Sequence, residues 1–320
     1  MTISVVIPAY NGERTIEMTL ASVFVQTVRA DEILILDDGS SDRTASIVSS
    51  YQEPVRLLRQ ENRGVAPSRN TLCAEAQGDL IAFLDQDDLW HPEYLELQRK
   101  LFSDYPQAVA FFTGHLNFFG HGTYEWDNEP KWIEGNVELI DPLSFLRRYN
   151  QATGPFASMS YCCVPKSVLR SIGPEPFRIS SVDDSHLCTL LPLWGSVVYA
   201  SAPLVAYRVT NEAQSVNHLK TFGRWVNVFE ILEAYYERRA DPKLLRAFRM
   251  AFASKRRQYG KLLMTANRIS EARREFWRSA GDSRIPSSVA KSIGLLLASH
   301  MPSPLQPKWP PTHRQWRAAE

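Results

Sequence analysis

The chain has 320 residues, 44% apolar and 22% charged, the make-up of an ordinary folded protein with room for one large domain plus an extension, or two domains. Its net charge of +1 predicts no partner from overall charge alone. Four cysteines (Cys73, Cys162, Cys163 and Cys188) without C-x-x-C spacing exclude a disulfide framework and a zinc site, and suit a reducing cytosol.

Residues 3–7 (ISVVI) form an unbroken apolar run, the mark of a strand covered on both faces, and Pro8 with the Asn11-Gly12 pair ends it. No basic flank or cleavage site precedes the run, so no signal peptide is expected. Ile16, Leu20, Val23 and Phe24 then recur at helical spacing. Residues 32–36 (EILIL) read as a second strand, followed by DDGSSD, where Ser41 or Asp42 can cap a helix through Ser49. VRLL (55–58) reads as a third strand, 66–76 as a helix and LIAFL (80–84) as a fourth strand. Pro92 suits the first turn of a helix with Leu95, Leu97 and Leu101 inside. Strand and helix alternate, which predicts an α/β fold with a mostly parallel central sheet and right-handed crossovers.

Residues 115–155 are rich in aromatics, Gly and Pro, show no clear period and read as loops around a pocket. SYCCVP (160–165) reads as a strand, VDDSHLCTLL (182–191) as a helix start carrying Asp183 and Asp184, and 197–209 as a strand. From about 220 the pattern changes: Phe222, Trp225, Val226, Phe229, Leu232 and Tyr236 mark an amphipathic helix, with further helices at 242–264 and 268–280. Residues 259–280 resemble half of a helical-hairpin repeat without a second copy. The apolar run at 293–301 is too short to span a bilayer, and the last twenty residues, with five prolines, read as irregular. The expected organisation is a catalytic domain over 1–215 and a basic helical extension with a Pro-rich tail over 216–320.

The stretch AFLDQDDLW (82–90) ends a buried strand on Asp85, Asp87 and Asp88. Carboxylates this close repel, more so when buried, so a positive partner is expected among them. In parallel sheets ligands bind beyond the carboxyl ends of the strands. Tyr10-Asn11, Asp37-Asp38 and Asp85/Asp87 all lie at such ends and together describe one site. Oxygen ligands of this kind suit Mg²⁺ or Mn²⁺ shared with a diphosphate. Asp88, ahead of Leu-Trp-His-Pro, reads most simply as a helix N-cap.

VVIPAYNGERTIEMTLASVFVQT, ILILDDGSSDRT and ENRGVAPSRNTLCAEAQGDLIAFLDQDD, in this order and spacing, resemble the nucleotide-binding half of family 2 glycosyltransferases with the GT-A fold, closely over 3–105 and loosely to about 215. The resemblance implies that Pro8 and Tyr10 line the base pocket, with Tyr10 stacked on a pyrimidine. It implies that Asp38 hydrogen-bonds the base, Arg69 contacts the nucleotide, Asp85 approaches the ribose or donor sugar, and Asp87 holds the metal. Asp37 is a secondary candidate beside Asp38, and Asn62 with Gly64 form a turn. Residues 180–209 resemble the family's acidic pair, helix and closing strand, which makes Asp184 the general base and Asp183 a secondary candidate. The usual histidine after the closing Tyr-Arg is missing, since Val209-Thr210-Asn211 follows Tyr207-Arg208 and His218 is out of step. Arg208 reads equally as a phosphate ligand or a structural ion pair.

The implied reaction is a single inverting displacement from a UDP- or dTDP-linked sugar to a hydroxyl of a glycan or lipid-linked acceptor in cell-surface polysaccharide synthesis. Residues 238–278 hold thirteen Lys/Arg against three acids, which fits either a solvated face or an anionic inner leaflet, placing the protein in the cytoplasm or peripherally on the plasma membrane. No nucleic-acid-binding module is visible. Two other readings are a sugar-1-phosphate nucleotidyltransferase, whose Gly-rich basic phosphate loop is absent, and a non-catalytic nucleotide-sugar-binding protein, against which Asp85, Asp87 and Asp184 argue.

Overall fold

The computed structural model describes residues 1–120, 136–150, 158–180, 182–209, 218–283 and 286–300, together with Gly122, Tyr124 and Trp126. The chain divides into two compact units, one of residues 1–142 and 156–213 and one of residues 143–155 and 214–320.

In the first unit, the apolar run at the start becomes β1 (Ile3–Ala9), buried at every position. It is followed by α1 (Ile16–Phe24), β2 (Glu32–Asp37), α2 (Thr44–Ser49), β3 (Val55–Arg59), α3 (Val65–Glu75) and β4 (Leu80–Phe83). β1 pairs in parallel with β2 and β4, and β2 with β3, which is what crossover helices between strands permit. The continuous apolar character of β1, β2 and β4 follows, because most of their side chains are buried. Next come β5 (Leu89–Trp90), α4 (Tyr94–Asp104), β6 (Ala110–Phe119), β7 (Val137–Ile140), β8 (Cys162–Pro165), α6 (Lys166–Ile172), α7 (Asp183–Leu190) and β9 (Val197–Val209), while α5 (Pro142–Asn150), between β7 and β8 in sequence, belongs to the second unit from Leu143 on.

Among the described residues these strands form one mixed sheet in the order β3-β2-β1-β4-β8-β6-β9-β5, with β7 also on β9. β8 runs antiparallel to β4 and β6, while β6 and β9 run parallel. All four cysteines are buried, with no disulfide among them.

Three local expectations change. Residues 115–155 are not only loops: they contain the second half of β6, all of β7 and all of α5. β6 is aromatic because it is an inner strand packed on both faces over Ala110–Gly114. Pro92 precedes α4 rather than opening it, and Glu93 occupies the cap position. Asp88 caps no helix: Leu89 and Trp90 extend into β5, and a carboxylate 1% exposed accepts the Arg208 backbone N–H at 2.8 Å.

In the second unit, α8 (His218–Arg239), α9 (Pro242–Thr265), α10 (Ile269–Ser283) and α11 (Pro286–Ala298) follow one another. Asp241 caps α9 by accepting from Lys243 N and Leu244 N. Phe229, Tyr236, Phe248 and Phe252 stack between α8 and α9. Much of the basic charge read from the sequence is consumed internally. Arg256, 5% exposed, donates to Glu230, Glu275 and Asp282, Arg249 pairs with Glu237, and Arg268 with Glu271. No helix among the described residues is long and apolar enough to cross a membrane. Residues 301–320, expected to be irregular, lie outside the described residues.

Candidate active site

The carboxyl ends of β1, β2 and β4 converge, as parallel strands require, and α7 begins beside them. Tyr10 follows β1 directly, and its ring is 46% exposed. Its backbone is clamped: Tyr10 N–H donates to Gln86 Oε1 at 2.9 Å, and Gln86 Nε2 donates to Tyr10 O at 3.0 Å. A Cβ at position 12 would stand 2.3 Å from Gln86 Oε1, so Gly12 is what lets this amide approach. Pro8 is buried within β1 and pairs in register with Leu36.

At the end of β2 the two aspartates differ. Asp37, fully buried, accepts from Ser40 N at 3.1 Å and from Arg59 Nε at 3.2 Å, and braces the turn. Asp38 Oδ1 accepts from Gln60 Nε2 and Arg63 N, and its Oδ2 accepts from Gly64 N at 2.7 Å. That anchors the Asn62–Gly64 turn and leaves one lone pair of Oδ2 without a donor among the described residues.

The positive charge expected among the acids is present twice. Arg69 of α3, 4% exposed, donates from Nη1 to Asp183 and from Nη2 to Asp85. Burial opposes its charge, yet Asp183 and Asp85 with Asp184 push its pKa up. On the other side, Arg208 of β9 donates from Nε to Asp87 O at 2.7 Å and from Nη1 to Gly120 O at 2.5 Å, with its guanidinium 4.3 Å above the Phe118 ring. Arg208 is therefore fastened to the DQDD loop through carbonyls and has one buried nitrogen, Nη2, without a partner among the described residues.

Titration behaviour follows from this geometry. Burial, then Asp85, pushes the Asp87 carboxyl up to about 6. Burial, then Asp183, pushes Asp184 up to about 7, while Arg69 pulls it back. Asp183 is also raised by burial, with Arg69 acting against the rise. Asp88 is pushed well up by burial and by Asp87 and Asp85. So many raised carboxyls in one place mark a site short of positive charge.

No cluster of three metal-ligating side chains occurs among the described residues. Asp87 nevertheless fits a hard cation: its carboxyl is half-buried, accepts no side-chain hydrogen bond among the described residues and is raised by burial and by Asp85. A cation held there would take most of its oxygen ligands from diphosphate and water, the usual Mg²⁺ pattern.

Sequence reasoning missed four residues that build the site: Gln86, Ser160, Arg59 and Tyr207. Ser160 Oγ accepts the Asp85 N–H at 3.0 Å, and its carbonyl accepts Trp90 Nε1 at 2.7 Å. The Tyr207 phenol is raised by burial and by the charges of Asp88, Asp85, Asp87 and Asp184. Gln86 alone was signalled, by lying inside the acidic loop.

A family model described as glycosyl transferase family 2 matches residues 4–173. WfgD of Escherichia coli, a UDP-Glc:alpha-D-GlcNAc-diphosphoundecaprenol beta-1,3-glucosyltransferase, is 42% identical over 123 residues, 38% of this chain and 48% of WfgD. The succinoglycan biosynthesis protein ExoW of Rhizobium meliloti is 28% identical over 325 residues, 92% of this chain and 98% of ExoW. The match thus spans about half of WfgD but nearly all of ExoW. Among solved structures, S. aureus TarS 1–349 in complex with UDP-GlcNAc superposes with a TM-score of 0.70 at 15% identity, covering 93% of this chain and 90% of TarS 1–349. With its GT-A architecture and a family match over more than half of its length, the chain belongs to glycosyl transferase family 2.

Proposed function

We propose that this chain is an inverting, metal-dependent glycosyltransferase moving a sugar from a UDP- or dTDP-linked donor to a hydroxyl of a glycan or lipid-linked acceptor in cell-surface polysaccharide synthesis. The observation that carries the reading is Asp184, a half-buried carboxyl at the start of α7 pushed up to about 7. A base with that pKa is matched to neutral pH.

In this reading Asp184 takes the proton of the acceptor hydroxyl as its oxygen attacks the anomeric carbon. The nucleoside diphosphate leaves from the opposite face, so the centre inverts. The exposed Tyr10 ring stacks on the base, Pro8 backs the pocket, and the open lone pair of Asp38 accepts from the base. Asp85, held by Arg69 and Ser160, meets the ribose or donor sugar. Arg69 acts on the nucleotide through Asp85 and the site's charge, because its guanidinium is already engaged by two carboxylates. Asp87 would hold Mg²⁺ or Mn²⁺, which when bound neutralises charge on the departing diphosphate. Arg208 keeps the DQDD loop in place.

Support for the donor and metal comes from relatives: WfgD by its name uses UDP-Glc on a diphosphoundecaprenol acceptor, and a Pyrobaculum calidifontis mannosyltransferase of similar fold is complexed with GDP-Man and Mn²⁺ (TM-score 0.58). A cytoplasmic setting, peripheral at an anionic membrane, is part of the proposal. It is supported by exposed cations on the second unit, including Lys243, Arg246 and Arg274.

The test is UDP-sugar turnover with Mn²⁺ or Mg²⁺, with thermal shift by UDP alongside. Asp87→Ala should lose the metal-dependent shift, and Asp184→Asn should keep it while losing transfer. A wild-type chain that neither shifts with UDP and Mn²⁺ nor turns over any UDP- or dTDP-sugar overturns the reading.

A further inference from the structure

Beyond Gly114 the β6–β9 pair continues, with β5 on the far edge of β9 at Val205 and Ala206, and its outer end reaches solvent at Phe119. A Cβ on Gly114 would stand 2.5 Å from Ser201 O, so only glycine allows β9 this close. The register shifts on either side of Gly114, then holds through His115↔Val205, Asn117↔Tyr207 and Phe119↔Val209. Such irregularities re-aim side chains near functional sites. In a parallel pair, partners in register share a face, so His115, Asn117, Phe119 and Tyr207 lie on one side. The opposite face, Phe118 with Ala206 and Leu89, is a buried cluster topped by Arg208.

The first face differs from a core. The His115 ring stacks on Tyr161 with centroids 4.7 Å apart and stands edge-on to Tyr207 at 6.1 Å. Burial lowers the His115 pKa, which keeps the ring neutral, with one N–H donor and one N acceptor. Among the described residues neither the His115 nitrogens nor the Tyr207 hydroxyl has a hydrogen-bond partner. The next residue, Arg208, hydrogen-bonds Asp88 through its backbone N–H and the Asp87 carbonyl through Nε, which puts this part of β9 beside the acidic loop, and Asp88, Asp85, Asp87 and Asp184 act electrostatically on the phenol. Outward along β6 exposure rises from half-buried His115 to exposed Asn117 and to Phe119 at 70%. At ~3.3 Å per residue the strip from His115 to Phe119 is about 13 Å long.

We propose that this strip, Tyr207, His115, Asn117 and Phe119, is the acceptor subsite, taking a saccharide whose reacting hydroxyl is offered to Asp184. The assignment rests on the reading of Asp184 as the base. Aromatic faces receive the apolar side of a pyranose, and the unpartnered phenol and imidazole match its hydroxyls. A sugar hydroxyl beside Tyr207 accepts from the phenol and donates to a carboxylate, which satisfies both. The strip suits the acceptor rather than the donor because it opens to solvent. A donor ends at its sugar, whereas a glycan acceptor must lead out of the site.

The experiment reads binding, so it is independent of turnover. Saturation-transfer NMR is recorded on the full chain loaded with UDP and Mn²⁺. The probes are methyl glycosides of glucose, N-acetylglucosamine, galactose, mannose and rhamnose, with laminaribiose and chitobiose. At least one probe should bind, and Phe119→Ala, at an exposed position that leaves the fold intact, should weaken it about three- to tenfold, the worth of one lost aromatic stack. Tyr207→Phe should weaken the same probe while UDP binding, read by thermal shift, stays as in wild type. Absence of binding by every probe overturns the proposal, as does a probe whose affinity is unchanged in both variants. If these binding results hold but Asp184→Asn still transfers sugar, the base assignment falls and the subsite stands.

Discussion

Arg69 and Asp183, 114 residues apart in sequence, meet as a buried ion pair that ties α3 to the start of α7. The second fork of Arg69 reaches Asp85, so one guanidinium holds together the acidic loop after β4 and the acidic pair beside the candidate base. Its role is positional, and the site's shape depends on it.

Removing that cation would leave the buried Asp183 and the half-buried Asp85 uncompensated. Arg69→Met should cost about 3–5 kcal/mol of stability, as broken buried pairs do. Arg69→Lys should recover only part of it, because an ammonium cannot present two forks. Denaturant unfolding of the three proteins checks this, and equal midpoints for Arg69→Met and wild type would refute it.

Asp184 makes two predictions of opposite sign. As a base it must be deprotonated, so kcat/KM should fall as pH drops below about 7. Asp184→Asn should lower kcat roughly 10²–10⁴-fold and abolish that limb of the profile. For stability, the native state keeps this proton between pH about 4 and 7 after the unfolded chain has lost it, so folding weakens as pH rises through that window. Asp184→Asn should therefore be more stable than wild type at pH 8, by on the order of 1–2 kcal/mol once partial exposure is discounted, and equal to it below pH about 4. Thermal melts at the two pH values decide it.

The clamp between Gln86 and Tyr10 predicts an equivalence. Gln86→Ala removes both hydrogen bonds to the Tyr10 backbone and should cost about 1–2 kcal/mol, with weaker UDP binding. Gly12→Ala should do the same, because its Cβ displaces the Gln86 amide. The double variant should be no worse than either single one, since both break one contact. Calorimetric UDP affinities that simply add would contradict the shared cause.

In the second unit, Arg256 neutralises Glu230, Glu275 and Asp282 from a buried position. Arg256→Ala should destabilise by about 3–5 kcal/mol. Raising salt should not reproduce the loss, because screening reaches buried pairs far less than exposed ones. Urea titrations with and without added NaCl measure both.

Much of the first unit was legible in the chain itself. β1, β2 and β4 are short apolar runs closed by turn residues, and α1 and α8–α10 show their spacing, because these signals are local. Acids at two strand ends, with Tyr10-Asn11 at a third, were legible for the same reason, since parallel strands bring their carboxyl ends to one side. Asp88 misled because its Leu-Trp-His-Pro context looks like a helix entry, whereas its true partner is the backbone of Arg208.

Local signals therefore determined the alternating strands and helices and the single acidic rim. Only the tertiary structure decided which cation serves which carboxylate, that Gln86 locks Tyr10, and that the charge of the acids reaches Tyr207. The Gln86–Tyr10, Arg69–Asp183 and Arg208–Asp87 contacts join residues 76 to 121 apart in sequence, and sheet pairing and burial, which no short stretch encodes, select their partners.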